Sequence, residues 1–328
     1  MSALSAFAIR GEVKGRSLMK KILLSDQTRH LMKKYRTLYL FLIPGAIIMI
    51  LFAYLPMGGL VMVFQLYDPV SGFFGSKWVG FENFARVFST PVFGRALRNT
   101  LVISGLKLLI GFPMPVIFAL MLNELRHQRF KKTVQTITYI PNFVSWVIVS
   151  GIWYSMLSSS GVVNEILLKL GLISDPILFM QNKALFYPII IFTELWKSLG
   201  YNTIFYISSI ATIPTEIYEA AEIDGASRFK QAIYITIPSI SGTIALLFIM
   251  QVGGLLNAGF DQLWTMGNVA VRDMADILDT AVLRTLTSGS IYDLSTGAAL
   301  GMFKSVVGLL LFFITNWVSK KFIDESIV

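Results

Sequence analysis

Residues 219–238 read EAAEIDGASRFKQAIYITIP, a polar stretch between two runs of nearly unbroken apolar sequence at 185–213 and 238–259. Those flanking runs decide the fold. A helix needs about 20 mostly apolar residues to cross a ~30 Å hydrocarbon core, and both runs reach that length. Four more runs lie at approximately 38–64, 100–122, 134–157 and 295–318. Composition points the same way: 55% of the 328 residues are apolar, 14% are charged and the mean hydropathy is +0.66, where soluble domains carry about 25% charged residues. The runs are continuous and lack the two-residue alternation of a barrel strand. The expected fold is all-α: a polytopic membrane protein with six transmembrane helices.

Six crossings place both termini on one side, and the basic residues choose which. With the N-terminus inside, 17 Lys/Arg fall on the inner side and 8 on the outer, with Lys107, Lys197 and Lys304 inside the spans. The positive-inside rule therefore puts both termini in the cytoplasm of a bacterial plasma (inner) membrane. The net charge of +9 is accounted for by orientation and by membrane lipid with anionic headgroups, so no nucleic acid partner is expected. Residues 1–37 form a basic cytoplasmic tail rather than a cleavable signal, since residues 1–36 hold nine Lys/Arg and no apolar core of signal-peptide length. Whether this tail is an amphipathic helix on lipid or a solvated chain is left open. The absence of cysteine removes disulfides, thiol catalysis and cysteine-ligated metals, and the histidines, His30 and His127, both lie in basic inner segments. No metal site or catalytic residue is expected.

The stretch at 219–238 then falls in an inner loop, with a definite local pattern. Thr215 is placed to cap a helix whose first turns carry Glu216 and Glu219, where the helix dipole favours acids. Ile217, Ala220 and Ala221 share a face, and Asp224-Gly225 supplies a stop, because glycine enters the left-handed region at low cost. Ser227 is placed to cap a second short turn before Pro238 opens the fifth span. Two short helices meeting at a bend of small side chains suit close approach by another protein.

EAAEIDGASRFKQAIYITIP resembles the EAA loop of permease subunits in binding-protein-dependent ABC importers. The family pattern is matched at Glu219-Ala220-Ala221, Gly225, Ile235 and Pro238, with Ile237 where the family has Leu. SKWVGFENFARVF, IPNFVSWVIVSGIW, LWKSLGYNTIFYISSIATIP and the last third of the chain are similar to the carbohydrate branch: maltose-type, LplB-type and alginate-importer permeases. The resemblance covers about residues 38–323. It implies the type I ABC importer permease fold over 38–328, with a coupling loop at 214–237 in which Glu219, Ala220, Ala221, Asp224 and Gly225 dock on an ATPase. It also implies a second homologous permease subunit forming a heterodimer, two ATPase subunits that bind ATP and Mg, an extracytoplasmic solute-binding protein and an oligosaccharide substrate. No cofactor is expected on this chain, which has no G-x-x-x-x-G-K-[ST] phosphate loop.

Ionisable residues inside a bilayer cost roughly 2.5–3.5 kcal/mol each on insertion scales and mark functional sites. Lys107, Glu194, Lys197 and Lys304 are such residues, and the three lysines fall between the outer third and the midplane of their spans. With only Glu194 to offset them, they are expected to favour an acidic sugar chain. A structural alternative is that Glu194 and Lys197, three residues apart, neutralise each other. The outer end of the fifth span, QVGGLLNAGFDQLW, is weakened by its glycines and offers Gln251, Asn257 and Asp261 to a substrate pathway. Phe260, Trp264, Trp146, Trp153 and Tyr154 are placed either to stack on sugar rings or to sit in an interfacial belt. An importer for another solute, such as glycerol phosphate or amino acids, and a secondary transporter remain as alternatives at this level. Deleting residues 1–24 leaves Arg29, Lys33, Lys34 and Arg36 to hold the orientation, so uptake by the truncated protein should match the full chain; inverted topology or lost uptake would contradict this.

Overall fold

The computed structural model describes residues 31, 33–287 and 293–322. The expected basic tail, 1–37, lies outside the described residues apart from Leu31 and 33–37. The chain divides into two compact units, Met1–Val61 and Met62–Val328. The described part of the first is an apolar helix, Arg36–Met49, that continues through a π turn at Ile50–Tyr54 into Leu55–Met57.

The second unit is almost wholly helical. Its two-stranded antiparallel ribbon pairs Gln65 with Trp78 and Leu66 with Lys77, and the buried Asn83 amide fixes it by donating to the Val63 and Gln65 carbonyls at 2.8 and 2.9 Å. Among the described residues, three helices are long and apolar enough to cross a membrane: Arg36–Phe64, Pro91–Asn123 and Leu294–Lys321. Two further runs form bent pairs, Gln128–Phe143 with Trp146–Met156 and Arg228–Ser239 with Ser241–Gly253. The remaining run forms the 28-residue helix Lys183–Ile210, about 42 Å long at 1.5 Å per residue and made more polar by Glu194 and Lys197. The six expected runs thus all become helix, in the order first to sixth used below.

Two of them are not the straight rods that apolar length suggests. The third span turns by 104° between its halves: a 3₁₀ turn at Ile140–Phe143 ends the first half, Val144 is extended, and Ser145 caps the second half by accepting from the Ile148 amide. The fifth bends by 64° at Ile240, so Pro238 closes the helix before the bend instead of opening the span. Prolines also mark gentler distortions. Each π turn, at Ile50–Tyr54, Lys107–Gly111 and Ala232–Thr236, is followed two residues later by a proline: Pro56, Pro113 and Pro238. A proline ring lacks a donor and crowds the carbonyl four residues back; widening the preceding turn relieves that clash while the helix runs on.

Packing depends on small residues at close approaches, as in other membrane bundles. The fourth span lies against the second and third, and a Cβ added at Gly200 would run into the Thr138 carbonyl. The fifth and sixth spans meet at Gly253 and Gly308, where an added Cβ would stand 3.1 Å from Phe312 and from the Gly253 carbonyl respectively. The buried Asn99 amide donates at 2.8 Å to both the Asp273 and Asp276 carbonyls, and Thr100 accepts from the Leu278 amide at 3.0 Å, which fastens the second span to the segment preceding the sixth. Gly200→Ala should destabilise the detergent-solubilised protein by about 1–3 kcal/mol through overpacking, read as a lower thermal midpoint. Gly151→Ala, where an added Cβ meets nothing within 4 Å, should leave the midpoint unchanged or slightly raised. Equal behaviour of the two would contradict the close contact.

Candidate functional site

The loop at 214–237 forms two helices about a sharp bend. The first, Thr215–Ile223, ends in a Schellman turn: Ala226 N–H donates to the Ala221 carbonyl at 2.9 Å and Gly225 N–H to the Glu222 carbonyl at 3.1 Å. Gly225 takes φ +72°, the left-handed conformation that glycine adopts without strain. One sequence expectation is corrected. Thr215 does not cap; Pro214 occupies the N-cap position with an extended ψ, and Thr215 is the first helical residue. Ser227 does cap, its hydroxyl accepting from the Lys230 amide. Glu219, Ala220, Asp224 and Gly225 are exposed and Ala221 is half-buried. Beside them Ile223 and Phe229 stand 87% and 74% exposed, apolar side chains projecting where a protein partner would cover them. Within the loop the Tyr218 and Thr236 hydroxyls lie 2.9 Å apart, and Arg228 ties it to the bundle by pairing at 2.8 Å with Glu124 at the end of the second span.

The intramembrane lysines do not pool their charge. Lys107 begins the π turn of the second span, and all three of its ammonium donors are engaged: Glu194 Oε2 at 3.0 Å, the Ala258 carbonyl at 2.9 Å and Gln262 Oε1 at 2.7 Å. Gln262 is fully buried, and its amide donates to the Ile190 carbonyl and the Thr193 hydroxyl at 2.7 and 2.9 Å. Lys197 turns away from Glu194. It donates to the Asn142 and Pro141 carbonyls at 2.6 and 3.2 Å and lies over the Trp146 ring at 5.7 Å, at the 104° bend of the third span. Lys304 pairs with Asp279. The expectation that Glu194 alone offsets the lysines is therefore corrected, and the direct ion pair of Glu194 is with Lys107. Glu194 serves Lys107, Asp279 serves Lys304, and Lys197 is held by backbone carbonyls and a ring.

The weakened fifth span is broken where the glycines suggested. Its helix ends at Gly253, residues 257–259 are non-helical, Gly259 has φ +98°, and helix Phe260–Met266 follows. Lys107 and Gly259 fit each other closely: a Cβ at Gly259 would sit 2.7 Å from the Lys107 ammonium. Lys304, Asp279 and Asn257 line a cavity of about 640 Å³ between the fifth and sixth spans. Gln251 faces a different cavity, about 380 Å³, between the second, fourth and fifth spans, with Asn202 and Tyr206. Asp261 is exposed at the start of its helix. The aromatic residues are engaged with the protein: Phe260 stacks on Trp264 at 5.7 Å, Trp153 meets Phe192 and Trp196 edge to face, and Tyr154 donates to the Met266 carbonyl at 2.9 Å. Sequence reasoning missed Asp279 because it was counted with the outer loop; an acid in the apolar surroundings of DILDTAVL was the available signal.

This bundle of broken spans with an exposed, bent loop between the fourth and fifth has clear relatives among known proteins. The model of the binding-protein-dependent transport system inner membrane component matches residues 111–324, and the chain belongs to that family. It is 42% identical over 298 residues to protein LplB of Bacillus subtilis (strain 168), covering 90% of this chain and 92% of that one. It is 40% identical over 326 residues to the polygalacturonan/rhamnogalacturonan transport system permease protein YteP of the same organism, covering 99% and 97%. The fold matches a solved structure of a bacterial ABC transporter involved in the import of the acidic polysaccharide alginate, with a TM-score of 0.81 and 38% identity over 90% of this chain and 99% of that one. A secondary transporter is thereby set aside. Gly259→Ala forces a Cβ into both the left-handed backbone and the Lys107 ammonium, so it should cost about 1–3 kcal/mol and lower the thermal midpoint of the solubilised protein. A midpoint equal to wild type would show that the lysine does not hold this break.

Proposed function

We propose that the chain is the membrane-spanning permease subunit of an ATP-driven importer for acidic oligosaccharides. The observation that carries this reading is the similarity along nearly the whole chain to permeases named for polygalacturonan/rhamnogalacturonan transport and for import of an acidic polysaccharide. In this reading both termini face the cytoplasm, an extracytoplasmic binding protein delivers the sugar, and a second, homologous permease completes a heterodimer. Two ATPase subunits bind ATP and Mg, and this chain performs no chemistry of its own.

Coupling follows from the loop. The bend at Gly225 presents Glu219, Ala220 and Ala221 beside the exposed Ile223 and Phe229, a small, apolar surface suited to a groove on an ATPase. Movement of that groove would be carried to the second span through Arg228–Glu124 and to the fifth through Tyr218–Thr236. Residues 38–328 act as one functional permease region with 214–237 as its coupling loop.

In the reconstituted complex, binding protein loaded with trigalacturonate should stimulate ATP hydrolysis, and binding protein with maltotriose should not. Gly225→Val should leave the permease inserted while lowering stimulated hydrolysis about tenfold, the equivalent of roughly 1.4 kcal/mol of lost coupling. Stimulation by the neutral sugar alone would contradict the substrate reading; unchanged stimulation in Gly225→Val would contradict the coupling role.

A further inference from the structure

With Lys107, Lys197 and Lys304 all engaged by protein groups, recognition of an acid must draw on other cations. A pocket of about 480 Å³ lies where the first turns of the second span, helix Leu278–Thr287 and the start of the sixth span meet. It brings together Arg95, Arg272 and Arg284 with one carboxylate, Asp276. Asp276 is 4% exposed and forms an ion pair with Arg284, Nη2 to Oδ1 at 3.1 Å, so the charge of one guanidinium is matched. Arg95 and Arg272 are exposed and have no ion-pair partner among the described residues. The acid next to Arg272 in sequence, Asp273, is already paired with Lys183 at 2.6 Å. That hydrogen bond holds its carboxyl below the usual value, with the charge of Arg95 a smaller contribution.

One donor in the pocket is unused. The Arg284 Nε–H is buried and has no acceptor, and the Asp276 Oδ1 is buried without a hydrogen-bond donor; a buried donor left unmatched is destabilising until a ligand supplies its acceptor. Thr90 and Phe93 also line the pocket, with the Thr90 hydroxyl donating to the Val87 carbonyl and accepting from the Phe93 amide. Planar guanidinium forks match a carboxylate in bidentate geometry, and a hydroxyl beside an aromatic face suits a sugar ring. A flat protein surface would not need a concavity of this size. Resting on the acidic-oligosaccharide reading above, we propose that Arg95, Arg272 and Arg284 form a carboxylate-binding pocket for one uronate residue of the incoming chain. In the orientation assigned above, the pocket opens on the extracytoplasmic side.

The test is direct binding of trigalacturonate, without binding protein, to the whole transporter in phosphatidylcholine nanodiscs. Arg95→Gln/Arg272→Gln should weaken binding by about tenfold or more, the loss expected from removing charge-assisted hydrogen bonds. Arg95→Lys/Arg272→Lys should give an intermediate affinity. Arg284 is left in place because it also neutralises Asp276. Unchanged affinity in the Gln variant overturns the pocket. So does displacement of trigalacturonate by phosphatidylglycerol added to the nanodiscs, which would assign the arginines to lipid headgroups. Uptake of trigalacturonate by the wild-type transporter with its binding protein is read separately. Its absence sinks the acidic-substrate reading, whereas uptake with full binding by the Gln variant sinks only the pocket.

Discussion

A backbone carbonyl stranded at a helix break inside a bilayer finds no water, so the protein itself must supply the donor. Here the donors are lysines. Lys107 bonds the Ala258 carbonyl at the break that follows the fifth span, and Lys197 bonds the Asn142 and Pro141 carbonyls at the bend of the third. An ammonium with three donors suits this task, since one side chain satisfies a carbonyl and still pairs with a carboxylate or amide. The cost of placing a charge at membrane depth is offset by what it saturates: Glu194, buried Gln262 and an otherwise orphaned peptide group. Gln251 and Asn257, at or beside the break after the fifth span, line separate cavities.

This changes where substrate selectivity resides. Intramembrane lysines invite the idea of an electropositive lining, yet Lys107 and Lys304 are each paired with a carboxylate, Glu194 and Asp279, which cancels most of their field at a distance. Lys304, paired with Asp279 inside a cavity, presents a donor and an acceptor side by side, an arrangement suited to hydroxyl groups. Net positive charge instead collects at Arg95 and Arg272, at the mouth of the bundle. In the proposed reading, selectivity for acid and passage of the sugar ring fall at different depths, and the loop 214–237 is the part proposed to couple.

Features that depend on neighbouring residues in sequence were legible there. The six apolar runs became helices, the Asp224-Gly225 stop became a left-handed turn, and Gly253-Gly254 and Gly259 marked a real break. Contacts between distant residues were not legible. Lys107 and Glu194 are 87 residues apart, and Lys197 passes over its near neighbour Glu194 to reach carbonyls more than fifty residues away. The third span's bend was hidden because hydropathy does not register a change of direction; Pro141 and Ser145 carried that information within an unbroken apolar run. The family resemblance anticipated the importer fold, but it assigned no partner to any lysine.

The central claim is that Lys107 is bound into the protein and is not a free charge facing the pathway. A double-mutant cycle on Lys107→Met and Glu194→Gln, read by unfolding of the solubilised protein, tests it most directly. Residues in one network couple by about 0.5–3 kcal/mol, so the double mutant should be clearly less destabilised than the two single effects added together. Effects that add to within about 0.3–0.5 kcal/mol, as for independent sites, would contradict it.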